Sequence, residues 1–72
     1  MPRFVMNKNA QSNGDHEVHN TTSGCRYMPQ PFNQIDLGVH LTCHGAVAQA
    51  KRQYPSWRIN GCYYCCNVCH TS

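Results

Sequence analysis

Four of the six cysteines of this 72-residue chain, Cys62, Cys65, Cys66 and Cys69, fall in one short stretch near its C-terminus, with His70 directly after. They read as two Cys-x-x-Cys units set back to back. A tight turn between cysteines three apart aims both sulfurs inward, which suits a tetrahedral zinc ion bound by thiolate at about 2.3 Å and imidazole at about 2.0 Å. Four sulfurs from so short a stretch do not readily surround one ion, so two or three ligands from the tail and the remainder from upstream are expected. Cys25 leads the upstream candidates, because it lies in a polar loop beside Gly24 where there is little core for a thiol to fill. His19 and His16 come next, since a neutral imidazole is a good ligand. The expected set is Cys25, Cys62, Cys65 and Cys69, with His19, Cys66 and His70 as substitutes, and Zn2+ as the ion. Four protein ligands make a closed, structural site with no open position for catalysis. Disulfides and plain reduced thiols remain the competing readings of the same residues. In a zinc knuckle one of the adjacent pair Cys65 and Cys66 must point elsewhere.

Other chemistry is less well supported. Cys43 opens an expected helix, where a thiol can be acidified, but it also starts that helix's apolar stripe, and free cysteine is among the most buried residue types. The buried, inert reading is preferred. Cys62 and Cys65 lack the helix and βαβ context of a thioredoxin-like motif. His16 and His19 resemble His-x-x-His, but on a strand their rings would fall on opposite faces. No Ser or Asp stands at a triad spacing, so hydrolysis is unsupported; whether the chain is an enzyme stays open, with the non-enzyme reading preferred. Tyr54, Trp57, Tyr63 and Tyr64 lie near Lys51, Arg52 and Arg58, a mixture that single-strand binders use for stacking and charge. The preferred reading has Tyr54 and Trp57 in the core and Tyr63 and Tyr64 packed round the cysteines.

The elements that must position these residues follow from local pattern. Arg3 to Asn7 is an apolar strand, and Asn13-Gly14 marks the turn after it. His16 to Asn20 is a second strand, with His16 and Val18 on one face and Glu17 and His19 on the other. Thr21 to Asn33, rich in turn formers, is irregular. Ile35, Leu37, Val39 and Leu41 alternate with polar residues or glycine, the signature of a half-buried strand; His40 falls on its solvated side. Thr42 is the expected N-cap of a helix from Cys43 to about Tyr54, whose stripe is Cys43, Ala46, Val47, Ala50 and Tyr54. Pro55 ends it. Ser56 to Asn60 offers a short fourth strand. The whole is an α+β fold: a small antiparallel sheet of three strands, or four if Ser56 to Asn60 joins, with one helix packed on it and a Cys-rich C-terminal tail.

Residues 1–72 are one small domain, of a size often supplemented by disulfides, a metal or a partner chain. The first residues lack the apolar core of a signal peptide, and no run approaches a membrane span. For a complete chain this points to the cytoplasm, where thiols stay reduced and metal outranks disulfides. The sequon Asn20-Thr21-Thr22 is then taken as chance. A net charge of +3 is mild and gives little support to nucleic-acid binding.

Two segments, Asn7-Lys8-Asn9-Ala10-Gln11-Ser12-Asn13-Gly14-Asp15-His16-Glu17-Val18-His19 and Gly61-Cys62-Tyr63-Tyr64-Cys65-Cys66-Asn67-Val68-Cys69-His70-Thr71-Ser72, resemble a group of short Cys/His-rich bacterial proteins of unknown function. The Leu37-Gly38 strand and the helix around Ala46-Val47 and Ala50-Lys51 extend the resemblance over most of the chain. It implies a bacterial, stand-alone domain and carries no activity. The residues themselves point to a zinc-stabilised binding or regulatory domain with an unidentified protein partner. The alternatives are a thiol redox or metal-handling protein using Cys65, Cys66 or Cys69, and a nucleic-acid-binding module using Arg52, Trp57 and Arg58.

Overall fold

A computed structural model describes residues 1–71. It contains strands β1 (Arg3–Asn7), β2 (Asp15–Asn20), β3 (Gln34–Val39) and β4 (Arg58–Gly61), and one helix, α1 (Cys43–Gln53). Single 3-10 turns lie at Pro31–Asn33 and Asn67–Cys69. The strands form one sheet in the order β3-β1-β2-β4. This is a small α+β fold with the helix on the sheet and the Cys-rich tail following β4.

The apolar run Phe4-Val5-Met6 makes β1 an inner strand, paired antiparallel with β2 on one side and β3 on the other. The β1–β2 hairpin closes where the sequence signals it. Gly14 has φ +92, a backbone region that glycine enters without steric cost, and the Asn13 Oδ1 accepts the Asp15 amide at 2.9 Å. The fourth strand forms, but it pairs parallel with β2, Asp15 facing Arg58 and Val18 facing Gly61. The sheet is therefore mixed, not wholly antiparallel. The reason is the helix: after β3 the chain crosses the sheet as α1 and returns in the same direction, as a parallel crossover requires.

One expectation for β3 is corrected by a bulge. Phe4 faces Gly38 while Val5 faces Asp36, so Leu37 is an extra residue in the ladder. Gly38 adopts φ +77 there, as bulges often demand. The bulge shifts the phase of the strand by one. Leu37 is buried, but Val39 and Leu41, which strict alternation would send to the same face, are 53% and 79% exposed. His40 is correspondingly half-buried and not solvated; its Nε2–H donates to the Leu37 carbonyl at 2.8 Å.

Both faces of the sheet are covered. On one, Phe4, Met6, Val18 and Leu37 pack with Cys43, Ala46 and Ala50 of α1, and the buried Cys62 and Cys66 of the tail adjoin this cluster. Ala46 and Ala50 are fully buried, and their small side chains let the helix lie close. Thr42 holds the extended N-cap conformation, but its hydroxyl makes no capping bond; it lies 3.5 Å from the His44 Nδ1 instead. Lys51 and Arg52 in the last turn complement the helix dipole. On the other face Val5 and His19, directly opposite each other in the ladder, are also buried. The β2–β3 connection has to pass over β1, and it carries Cys25 to this side.

Candidate metal centre

The centre is built from three separate places in the chain: β2, the connection after it, and the start of the tail. His19 belongs to β2 and, by strand alternation, points away from the helix. It is 1% exposed. Cys62 follows β4 directly, and its amide donates to the Val18 carbonyl at 2.9 Å, extending the parallel pairing by one step beside His19. The chain then turns: the Cys66 amide donates to the Cys62 carbonyl at 2.9 Å, which swings Cys65 back over Cys62. Cys25 comes from the long connection after β2.

The Cys25 and Cys62 sulfurs are 3.8 Å apart. The Cys65 sulfur is 3.6 Å from the His19 Nδ1. The four donor atoms of His19, Cys25, Cys62 and Cys65 all lie within 4.8 Å of one another. The zinc–ligand lengths of a tetrahedral site put adjacent thiolates about 3.8 Å apart and a thiolate about 3.6 Å from an imidazole nitrogen. The two closest contacts here have those separations. These Cys and His side chains can hold a metal ion.

The surroundings suit thiolates. The backbone amides of Tyr64 and Cys65 favour the Cys62 thiolate, and the Asn20 amide donates to the Cys65 sulfur at 3.3 Å. Burial nevertheless pushes the Cys62 thiol up to about 12, the amides opposing it only in part. Cys65 is also raised, first by its hydrogen bond with Cys66 and then by burial; the same bond lowers Cys66. Burial lowers His19, which keeps its imidazole neutral and able to ligate. Its other nitrogen, Nε2, lies 3.8 Å from the Glu17 Oε1. A carboxylate behind the distal nitrogen is the usual second contact of a metal-bound histidine, fixing its tautomer and ring. Without an ion Cys62 and Cys65 hold their protons; a bound cation would displace them.

Three of the four residues expected as ligands, Cys25, Cys62 and Cys65, meet here, and His19 stands in the fourth place. Cys69 is elsewhere because it is disulfide-bonded to Cys43. That bond also corrects the reading of Cys43 as a free buried thiol, although the residue is buried as expected. Cys66 is buried in the core beside Cys65, with which its side chain interacts, and is not one of the four grouped donors. His70 is occupied by the Gly61 carbonyl, to which its Nδ1–H donates at 3.0 Å. Nothing local in the sequence pairs Cys43 with Cys69. His19 had a usable signal: a parallel β4 beside β2 places Cys62 next to it.

Of the aromatic and basic residues, Trp57, Tyr54 and Arg58 make contacts within the chain, while Lys51 and Arg52 are exposed. Trp57 stacks between His16 and Tyr54, with ring centroids at 3.9 and 4.4 Å. Arg58 Nε is 3.1 Å from the Asp15 Oδ1. Tyr63 and Tyr64 are exposed, not wrapped round the cysteines; Tyr64 stacks on Tyr27 at 4.6 Å. Among the described residues no helix is long and apolar enough to cross a membrane. No protein-family model, curated protein or solved structure matches the chain.

Proposed function

We propose that this chain is a small binding or regulatory domain held together by one structural zinc ion on His19, Cys25, Cys62 and Cys65. The observation that carries the reading is the approach of four donors from three chain segments to within 4.8 Å of one another, the two closest contacts at tetrahedral spacing. A mixed thiolate and imidazole set favours zinc among the common divalent ions. With four protein ligands no position is left for substrate, so the ion's work is structural. It ties the β2–β3 connection and the tail to the central sheet, segments with few apolar side chains of their own. Function then belongs to the surface so fixed. The exposed Tyr27, Tyr63 and Tyr64, clustered beside the centre, favour a protein partner.

Native mass spectrometry of the freshly purified chain tests this. The expected result is a mass higher by one zinc, lost on denaturation, after which Cys25, Cys62, Cys65 and Cys66 all react with an alkylating agent. Cobalt substitution should give the absorption of a tetrahedral sulfur-ligated ion, lost in Cys25→Ser. A metal-free native chain that neither takes up zinc nor gains thermal stability from it would overturn the reading.

A further inference from the structure

A second cysteine constellation joins the start of α1 to the end of the tail. Cys43, His44 and Cys69 bring two sulfurs and an imidazole nitrogen within 4.8 Å of one another, but the sulfurs are joined to each other. We propose that this disulfide is the closed form of a second metal site, and that reducing it opens a Cys43–His44–Cys69 centre for a thiophilic cation such as zinc. The site is independent of the one formed by His19, Cys25, Cys62 and Cys65.

Three observations support it. First, the sulfurs are held near each other by more than their bond. An added Cβ at Gly61 would lie 2.6 Å from the Cys69 Cβ, so the tail rests directly on the β4 backbone. Asn60 Oδ1 accepts the Thr71 amide at 3.0 Å, and His70 is tied to the Gly61 carbonyl. Cys43 is fixed from its side by packing in the core. Second, Cys43 opens α1 with the exposed His44 directly after it, so the helix start carries two of the three donors side by side. Third, a cavity of about 350 Å³ lined by His44, Val47, Lys51, Val68, Cys69 and Thr71 adjoins the group. Three protein donors leave one coordination position open, and this cavity gives it room for water or a small ligand.

The chemistry needs a two-electron reductant, and a dithiol serves. Its thiolate attacks the Cys69 sulfur, which lines the cavity. The Cys43–Cys69 bond breaks and Cys43 leaves as a thiolate at the helix start. The reductant's second thiol then displaces Cys69 and closes its own disulfide. Two electrons pass to the protein, and the two new thiols give up their protons when the cation binds.

The test uses the full chain, oxidised or reduced with a phosphine that is then removed without air, and titrated with zinc under native mass spectrometry. Reduction should raise the zinc count by one, and His44→Ala, an exposed substitution, should abolish that gain while leaving the other zinc in place. An unchanged count after complete reduction, or a gain that persists in His44→Ala, overturns the proposal. A count rising from none to one would uphold this site while removing the other; a count of one in both states would do the reverse.

Discussion

Gly61→Ala probes how closely the tail is set on the sheet. Gly61 is not one of the positive-φ glycines, so alanine is compatible with its backbone and the effect is one of space. The new methyl would meet the Cys69 Cβ at 2.6 Å, the Cys66 carbonyl oxygen at 2.8 Å and the Cys69 carbonyl carbon at 2.9 Å. All three belong to the tail backbone or are bonded directly to it, so no side-chain rotation relieves the contact. Overpacking of this kind costs roughly 1–3 kcal/mol, and the rigid partners place it near the upper end. Replacing glycine returns about 0.4–1 kcal/mol by restricting the unfolded chain. The net loss is then about 2 kcal/mol. At about 4–8 °C per kcal/mol for a domain of this size, Tm should fall by about 8–16 °C. Thermal unfolding followed by circular dichroism, with zinc and without reductant, measures it. A fall of less than about 4 °C would mean that the tail is not seated on Gly61 and would refute the reasoning.

Other perturbations read the site more directly. Glu17→Gln should weaken zinc binding by about 10–100-fold, as loss of a contact behind a ligating histidine typically does; competition with a chelator of known affinity measures it. Asn60→Ala removes a buried side chain whose Oδ1 accepts the Gly61 and Thr71 amides, both at 3.0 Å. It should cost about 1–3 kcal/mol and speed hydrogen exchange across the tail, with urea unfolding as the measure. In the metal-free chain, burial holds His19 below its ordinary 6.5. The unfolded state therefore takes up the proton first, and stability should decline as pH falls through that value, down to the lower folded pKa. His19→Gln should flatten this part of a stability–pH curve. Zinc binding should tighten as pH rises, because the Cys62 thiol, pushed up to about 12, must lose its proton to ligate; titrations at two pH values with proton-release measurement test this.

Much of the local structure was legible from short-range pattern. Apolar Phe4-Val5-Met6, the Asn13-Gly14 turn, the Ala46 and Ala50 stripe and Pro55 each act within a few residues of themselves, and β1, the hairpin and α1 stand where they place them. Alternation also placed His19 on the face opposite Val18, which is how it reaches the metal centre. The same rule failed past Leu37, because a bulge depends on how β3 meets β1 and not on β3 alone. The Cys-x-x-Cys spacing of Cys62 and Cys65 marked them as a pair on its own, since a tight turn is a local event.

By itself, then, the sequence determined a small α+β chain with a metal-competent tail and one upstream cysteine to meet it. Only the tertiary structure decided which residues complete the groups. The parallel pairing of β4 with β2 sets Cys62 beside His19, and the close approach of the tail to Gly61 sets Cys69 beside Cys43. Both are contacts between segments far apart in the chain. Residue spacing is blind to them because strand order and helix crossing, fixed by burying the whole core at once, choose which distant side chains become neighbours.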